Sequence, residues 1–322
     1  MNRPLKVAVI GTGFGKHAAA PAYQSLDFEV EVVSPRDEAA VQRAMAADVD
    51  LVSVHSPPFM HLQHVMGAID HGHAVLCDKP FGRNAEEAAA MRDRARDGGI
   101  MHFLNFEFRW KDSWAKIKQL ADAGTIGAPT HLSWTFFGSG LRGRRYGWIN
   151  DRELGGGWIG AYGSHVIDFT RWLFHSEMAE CGGVTRIEGL KHLDRDGQAC
   201  NATAEDAYSA WFVMDNGCTA AQDTGFATAA PTVPRATLMG SAGSIELIAD
   251  TKLVVRRTGE EPETYEFPLP QARTPDRALV AFFHQVADAL RTGTQIAPSF
   301  DDGVAVAEAM DRLRANAIGA TC

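Results

Sequence analysis

Cysteine is scarce in this 322-residue chain and nowhere closely spaced: Cys77, Cys181, Cys200, Cys218 and Cys322 lie far apart, with no C-x-x-C pair among them. An odd, dispersed set argues against a disulfide framework or a zinc ribbon and fits thiols used as small core residues in a reducing compartment. Long apolar runs are lacking too. Nothing approaches the ~18 consecutive apolar residues of a membrane span. The apolar run that begins at Val7 is too short for the core of a secretion signal, so a cytoplasmic protein is expected. Positive charge is in deficit, with 31 Lys and Arg against 40 Asp and Glu and a net charge of −9. Such a surface repels phosphate backbones and anionic lipid, so neither nucleic acid nor membrane is an expected partner. There is no internal repeat and no low-complexity linker. What remains is an ordinary globular composition, 45% hydrophobic and 22% charged, in a chain long enough for two hydrophobic cores.

The first third alternates β-branched runs with helix-forming stretches. Expected strands are Lys6–Ile10, Glu29–Val33, Leu51–Val54, Ala74–Cys77 and Met101–Phe106. Expected helices between them are Ala18–Ser25, Glu38–Ala47, Phe59–Asp70 and Ala85–Arg96. Repeated βαβ units with right-handed crossovers give a doubly wound parallel sheet, whose ligands sit at the carboxyl ends of the strands. After about residue 124 the rhythm changes. A strand at Thr130–Phe137, a loop from Gly138 to Gly157 and a helix from Gly160 to Phe174 lead into runs separated by short turns: Tyr208–Met214, Thr219–Thr224, Ala236–Met239, Ser244–Ile248, Leu253–Arg256 and Thr264–Phe267. Tight turns between strands give a large open, mostly antiparallel sheet in an α+β domain. Two closing helices are expected, at 276–291 and 301–318. The expected division is an α/β Rossmann domain at 1–124 and an α+β domain at 125–322, with the last helix packing back on the first domain.

Gly11-Thr12-Gly13-Phe14-Gly15 directly follows the first strand. The first glycine permits a sharp turn and the second a close approach to a pyrophosphate, whose charge suits the following helix N-terminus. Lys16 stands where the third glycine of the fingerprint usually lies, with Gly15 one place earlier. The second strand ends at Ser34-Pro35-Arg36, where an acidic side chain would suit the ribose hydroxyls of NAD and an arginine the 2′-phosphate of NADP. Ser34 and Arg36 therefore lean toward NADP, with NAD the alternative, although Asp37 lies adjacent.

Cys77-Asp78-Lys79-Pro80 closes the fourth strand. An ammonium at the carboxyl end of a parallel strand either binds a substrate oxygen and stabilises a developing alkoxide, or pairs with Asp78 as an ordinary loop lysine. Further on, Gly155-Gly156-Gly157-Trp158 opens a helix that carries His165 and Asp168. Three glycines point to a close backbone approach to a ligand. His165 either moves a hydroxyl proton or is a core histidine bonded to backbone. Asp168 orients His165 or satisfies another buried donor. Trp158 is either a wall against a sugar ring or a core side chain. His61, His64, His71 and His73 cluster around one helix without the converging set that a metal needs, so no metal is expected. Arg142, Arg144, Arg145, Tyr146 and Trp148 form a basic aromatic stretch that reaches a substrate mouth or a neighbouring subunit, or is a solvated loop.

Taken in order, the glycine loop, Ser56-Pro57-Pro58-Phe59-Met60-His61, Asp78-Lys79-Pro80, Asn105-Phe106-Glu107-Phe108-Arg109 and the Gly155–Asp168 segment resemble the Gfo/Idh/MocA family over essentially the whole chain. The resemblance implies a nicotinamide-dependent oxidoreductase acting on a sugar, cyclitol or polyol, with Lys79 and His165 as its catalytic pair. It implies that Ser56, Pro57, His61, Asp78 and Lys79 line the cofactor, that Asp78 holds the lysine's turn, and that Asn105, Trp158 and His165 meet substrate. It also implies a homodimer or homotetramer joined through the C-terminal sheet. Two departures stand out. Asp78 replaces a glutamate, and Ala161, four residues before His165, replaces an aspartate that would raise the histidine's basicity. The second departure keeps open the reading of a non-catalytic NAD(P)-binding regulator; a lyase or glycosidase that oxidises its substrate transiently with tightly held NAD is a further alternative.

Overall fold

A computed structural model of the chain describes residues 3–268 and 275–321. It divides into two compact units, Met1–Trp110 with Pro270–Ala307, and Lys111–Leu269 with Glu308–Cys322. The first begins with β1 (Lys6–Ile10), a π-helical turn at Gly15–Ala19, α1 (Ala20–Gln24), β2 (Glu29–Val33), α2 (Glu38–Ala46), β3 (Leu51–Val54), α3 (His61–Asp70), β4 (Ala74–Cys77), α4 (Ala85–Asp97) and β5 (His102–Leu104). The five strands form one sheet in the order β2-β1-β3-β4-β5, parallel throughout. β1 is buried on both faces, as a parallel strand under helices must be. Asp37 and Asn84 cap α2 and α4 by accepting from Ala40 N and Glu87 N, each at 2.9 Å, a device that contributes about 1 kcal/mol.

The second unit runs through α5 (Asp112–Asp122), β6 (Pro129–Phe137), a π-helical turn at Ile159–Gly163, α6 (Ser164–Phe174), β7 (Met178–Ile187), the hairpin β8 (Lys191–Leu193) and β9 (Ala199–Asn201), then β10 (Ala207–Met214), β11 (Thr219–Gly225), β12 (Arg235–Gly240), β13 (Gly243–Ile248), β14 (Lys252–Arg257) and β15 (Glu263–Glu266). α7 (Arg277–Thr292) then returns to the first unit. Its Leu279, Phe282, Phe283 and Val286 join Val7, Val9, Tyr23 and Leu51 in one core cluster. α8 (Phe300–Asn316) follows, and β16 (Ala317–Thr321) ends the chain. The second sheet has nine strands in the order β15-β14-β13-β12-β6-β11-β10-β7-β16. Only β6 with β11 and β7 with β16 pair in parallel; the other pairs are antiparallel.

Three features depart from the expected elements. The unit boundary falls at 110/111 and not at 124/125, because α5 packs Trp114 against Trp134 and Phe169 of the second unit, at ring separations of 4.3 and 4.9 Å. The final helix stops at Asn316, and the next five residues pair with Gly183–Ile187 of β7. Sheet pairing overrides helix propensity there. β7 itself passes through Gly182-Gly183, where a side chain would meet the Trp211 ring at 2.8 Å and Ser209 O at 2.1 Å. The first half of α8 belongs to the first unit: a Cβ on Gly303 would touch Phe81, and Asp301 and Asp302 pair with Arg96 and Arg109.

Candidate active site

The register of the parallel sheet decides what stands at its carboxyl edge. Ile10 pairs with Val33 and with Val54, Val54 with Cys77, and Cys77 with Leu104. The residues one step beyond each strand therefore line up as Ser34, Gly11, His55, Asp78 and Asn105. Backbone bonds continue the ladder through this row: Gly11 N to Val33 O at 3.1 Å, His55 N to Ile10 O at 2.9 Å, Asp78 N to Val54 O at 2.8 Å, and Asn105 N to Cys77 O at 2.8 Å. The next residues along are Thr12, Ser56 and Lys79. Strand order reverses between β2-β1 and β1-β3, which is where a sheet of this kind opens a crevice for its ligand.

Gly11 is required by contact. A Cβ there would lie 2.6 Å from His55 O. At Gly13 a Cβ would stand in open space, and Thr12, Gly13 and Phe14 are exposed. The loop then enters a π turn, with Ala20 N bonding Gly15 O, before α1. An exposed glycine bend at the start of a ten-residue helical run fits a dinucleotide pyrophosphate, which the loop amides and helix dipole would hold. Arg36 is exposed, while Asp37 is committed to capping α2.

Asp78 is largely buried and accepts three hydrogen bonds: Oδ2 from His55 Nδ1 at 3.2 Å, and Oδ1 from Lys79 N at 2.9 Å and Asn105 Nδ2 at 3.2 Å. Burial works against its ionisation, but the His55 bond and the nearby Lys79 charge hold the carboxyl below the usual range. Asn105 is fully buried and spends its amide on Asp78. Ser56 is held on two sides, its carbonyl accepting from His61 Nε2 at 2.7 Å and its hydroxyl bonding His64 Nδ1 at 2.9 Å. Both histidines are buried. Burial lowers the pKa of His61, and lowers that of His64 to about 4 with help from repulsion by His61. They brace the Ser56-Pro57 turn from within the protein.

In the second unit, His165 is buried on α6, two residues past the π turn. Asp168 lies 3.8 Å from Arg171, which also clasps Glu177 with two bonds of 2.5 and 2.6 Å. The glycines before α6 answer to the protein's own packing. A Cβ on Gly156 would lie 2.2 Å from Trp148 O and 2.6 Å from Asp151 O, and one on Gly157 would lie 2.2 Å from the Glu205 carboxylate. Glu205 in turn accepts from Ile159 N and Arg314. Trp158 is stacked between Tyr162 (5.0 Å, 6°) and Phe226 (4.3 Å, 10°). The ring is buried and stacked on aromatic neighbours, the packing of a core side chain. His55 is a residue of this edge that the sequence does not single out. Its one sequence signal is its place a step past a strand; only the ladder sets it level with Asp78.

With that geometry in place, two family descriptions match the chain: an oxidoreductase-family NAD-binding Rossmann fold over residues 5–106, and a GFO/IDH/MocA C-terminal domain over 114–246. The chain belongs to the GFO/IDH/MocA family. Among its relatives in this family are an uncharacterized oxidoreductase, sll0816, of Synechocystis sp. (31% identical over 190 residues, 53% of this chain and 51% of that protein) and levoglucosan dehydrogenase of Pseudarthrobacter phenanthrenivorans (29% over 129 residues, 39% and 33%). The chain thus spans about half the length, or less, of these curated relatives. Levoglucosan dehydrogenase solved in complex with NADH shares the fold, with a TM-score of 0.86 at 20% identity over 98% of this chain and 97% of that one. This is a family of NAD-binding oxidoreductases with sugar dehydrogenases among its members. No helix among the described residues is long and apolar enough to cross a membrane, and the described residues hold no group of His, Cys, Asp or Glu spaced for a metal.

Proposed function

We propose that this protein is an NAD(P)-dependent dehydrogenase or reductase acting on a CH–OH or carbonyl carbon of a sugar, cyclitol or related polyol. The observation that carries the reading is the row at the carboxyl edge of the sheet. An exposed glycine bend lies at the strand-order reversal, and Lys79 is the residue beyond a carboxylate saturated by three donors. Gly11–Gly15, Ser34, Arg36, Ser56 and Pro57 would hold the cofactor, whose nicotinamide supplies the hydride acceptor or donor when bound. Arg36, with Asp37 committed to a helix cap, favours NADP over NAD. Lys79 binds and polarises the substrate oxygen, and His165 takes or returns its proton. The test replaces Lys79 by Met and His165 by Ala. Each should lower kcat by about 10²-fold or more while leaving NADPH binding intact. Unchanged kcat in both variants overturns the assignment.

The second sheet supports a self-association. Its outer face carries Val184, Trp211, Met239 and Ile318, exposed by 42, 49, 47 and 72%. The ladder sets Val184 beside Ser209 and Ile318, and Gly182 beside Trp211, so most of this apolar surface shares one face. An open groove of about 1050 Å³ runs across it. Apolar surface spread over one sheet face marks a protein interface, and a second copy of the same sheet supplies a complementary partner. We place the dimer contact there. Ala161, where a carboxylate would sit one turn before His165, is the one feature that favours the competing reading of a non-catalytic NAD(P)-binding regulator. Tight NADPH binding without turnover on any polyol or aldose would decide for it.

A further inference from the structure

We propose that His55 is a positioning residue for Lys79, acting through Asp78 as the middle member of a hydrogen-bonded chain that starts in the core and ends on the lysine's backbone. This rests on the dehydrogenase reading of Lys79 given above. The sheet register brings the chain together. β3 and β4 place His55 and Asp78 side by side, and β4 and β5 place Asp78 beside Asn105. His55 lies beneath the glycine loop: Cβ atoms built on Gly11 and Gly15 would meet it at 3.0 and 3.1 Å, and the Phe14 ring stands 5.6 Å away. Its side chain is 0% exposed.

Both ring nitrogens are committed. Nδ1 is 3.2 Å from Asp78 Oδ2, and Nε2 is 2.8 Å from Ser53 Oγ, which lies 3.0 Å from Tyr23 OH. Donor and acceptor chemistry sets the direction. An ionised carboxylate only accepts, so Nδ1 carries the hydrogen. Tyr23 is fully buried, its ring stacked on Phe283 at 4.0 Å, and its phenol hydrogen needs an acceptor. Ser53 Oγ is the hydroxyl that takes it. Ser53 then donates its own hydrogen to His55 Nε2, which must be a bare acceptor. Every donor in the chain runs toward Asp78: Tyr23 to Ser53, Ser53 to His55, His55 to Asp78. With Oδ2 fixed by the imidazole, Oδ1 is turned to hold Lys79 N and the Asn105 amide. A carboxylate without that partner is free to rotate away from the lysine's backbone, and the ammonium loses its aim.

Two experiments test this, and they fail separately from the dehydrogenase reading. The first needs no turnover. In protein labelled with ¹⁵N-histidine, two-bond ¹H–¹⁵N correlations identify the His55 tautomer, and the resonance is assigned by its loss in His55→Asn. A protonated Nδ1 with a bare Nε2 is expected in the native protein. A protonated Nε2 overturns the chain. The second is kinetic. His55→Leu, which removes both bonds, should lower kcat about 10- to 100-fold with KM for cofactor and polyol nearly unchanged, the size seen when an orienting partner is lost. His55→Asn, whose amide nitrogen can replace Nδ1 toward Asp78, should recover most of that loss. Equal kcat in wild type and His55→Leu, or an Asn variant as impaired as Leu, contradicts the positioning role. Should His55→Leu fail to fold, the tautomer and the Asn variant decide. Should no polyol turn over in the wild type, the dehydrogenase reading falls while the tautomer still judges the chain.

Discussion

Buried histidines dominate the residue scale, and they separate by what they bond. His64 is held neutral on Ser56, with its pKa lowered to about 4. In the unfolded chain an ordinary histidine titrates near 6.5, so between these values the unfolded state binds more protons. The contribution of neutral His64 to stability is complete above pH 6.5 and is lost as the pH falls toward 4. At roughly 1.4 kcal/mol per pH unit, the loss at pH 4.5 is about 2–3 kcal/mol. Urea denaturation of wild type and His64→Gln at pH 7 and pH 4.5 should show a smaller fall for the variant. Parallel losses would remove His64 from the account. His61, whose pKa burial also lowers, acts in the same direction. Arg36 is the residue to which we assign the proposed preference for NADP. Its replacement by Glu should weaken NADPH relative to NADH by about tenfold or more, near 1.4 kcal/mol, read by fluorescence titration of each dinucleotide. An unchanged ratio assigns the 2′-phosphate to other residues. Lys79, Ser34, Arg36 and Asp78 were all legible from the chain as residues at strand ends. His55 was not, because nothing in a sequence states which strand ends are neighbours; only the ladder puts residue 55 beside residue 78.

At the scale of elements, the alternating strands of the first unit were readable because a parallel sheet buries both faces and so writes short unbroken apolar runs. The second unit concealed more. α5 has Trp114, Ile117 and Ala121 on one buried stripe, a helical spacing open to reading, but the change of rhythm after residue 124 draws the boundary past it. β7 hides behind Gly182-Gly183, which make room for Trp211 and the neighbouring strand. β16 looked like the tail of α8 because Ala317 continues its apolar spacing, and only the free edge of β7 draws it into a sheet. The three glycines before α6 suggest space for a ligand, but the space at Gly156 and Gly157 is taken by carbonyls and by Glu205. Gly156→Ala therefore tests packing. With backbone oxygens at 2.2, 2.6 and 2.8 Å from the added carbon, the loop must shift, at a cost of about 2–4 kcal/mol. A thermal unfolding midpoint within a degree of wild type would show that the loop yields easily.

For the whole molecule, the outer face of the nine-stranded sheet predicts the assembly. Trp211→Asp with Ile318→Asp places two carboxylates in the proposed contact. Sedimentation velocity at micromolar concentration should then show a dimer or tetramer for wild type and a 34.9 kDa monomer for the variant. A variant that still associates moves the contact elsewhere, and a monomeric wild type overturns the proposed assembly. The proposed chemistry stands or falls on Lys79 acting on a polyol or sugar. The measurement that meets it most directly is the change in nicotinamide absorbance when purified protein, NADP or NADPH, and a panel of polyols and aldoses are mixed, with Lys79→Met run beside it. Turnover on at least one compound that the variant loses, while the variant still binds NADPH, is the predicted result. Tight NADPH binding with no turnover on any compound, or turnover that survives the loss of Lys79, would contradict it.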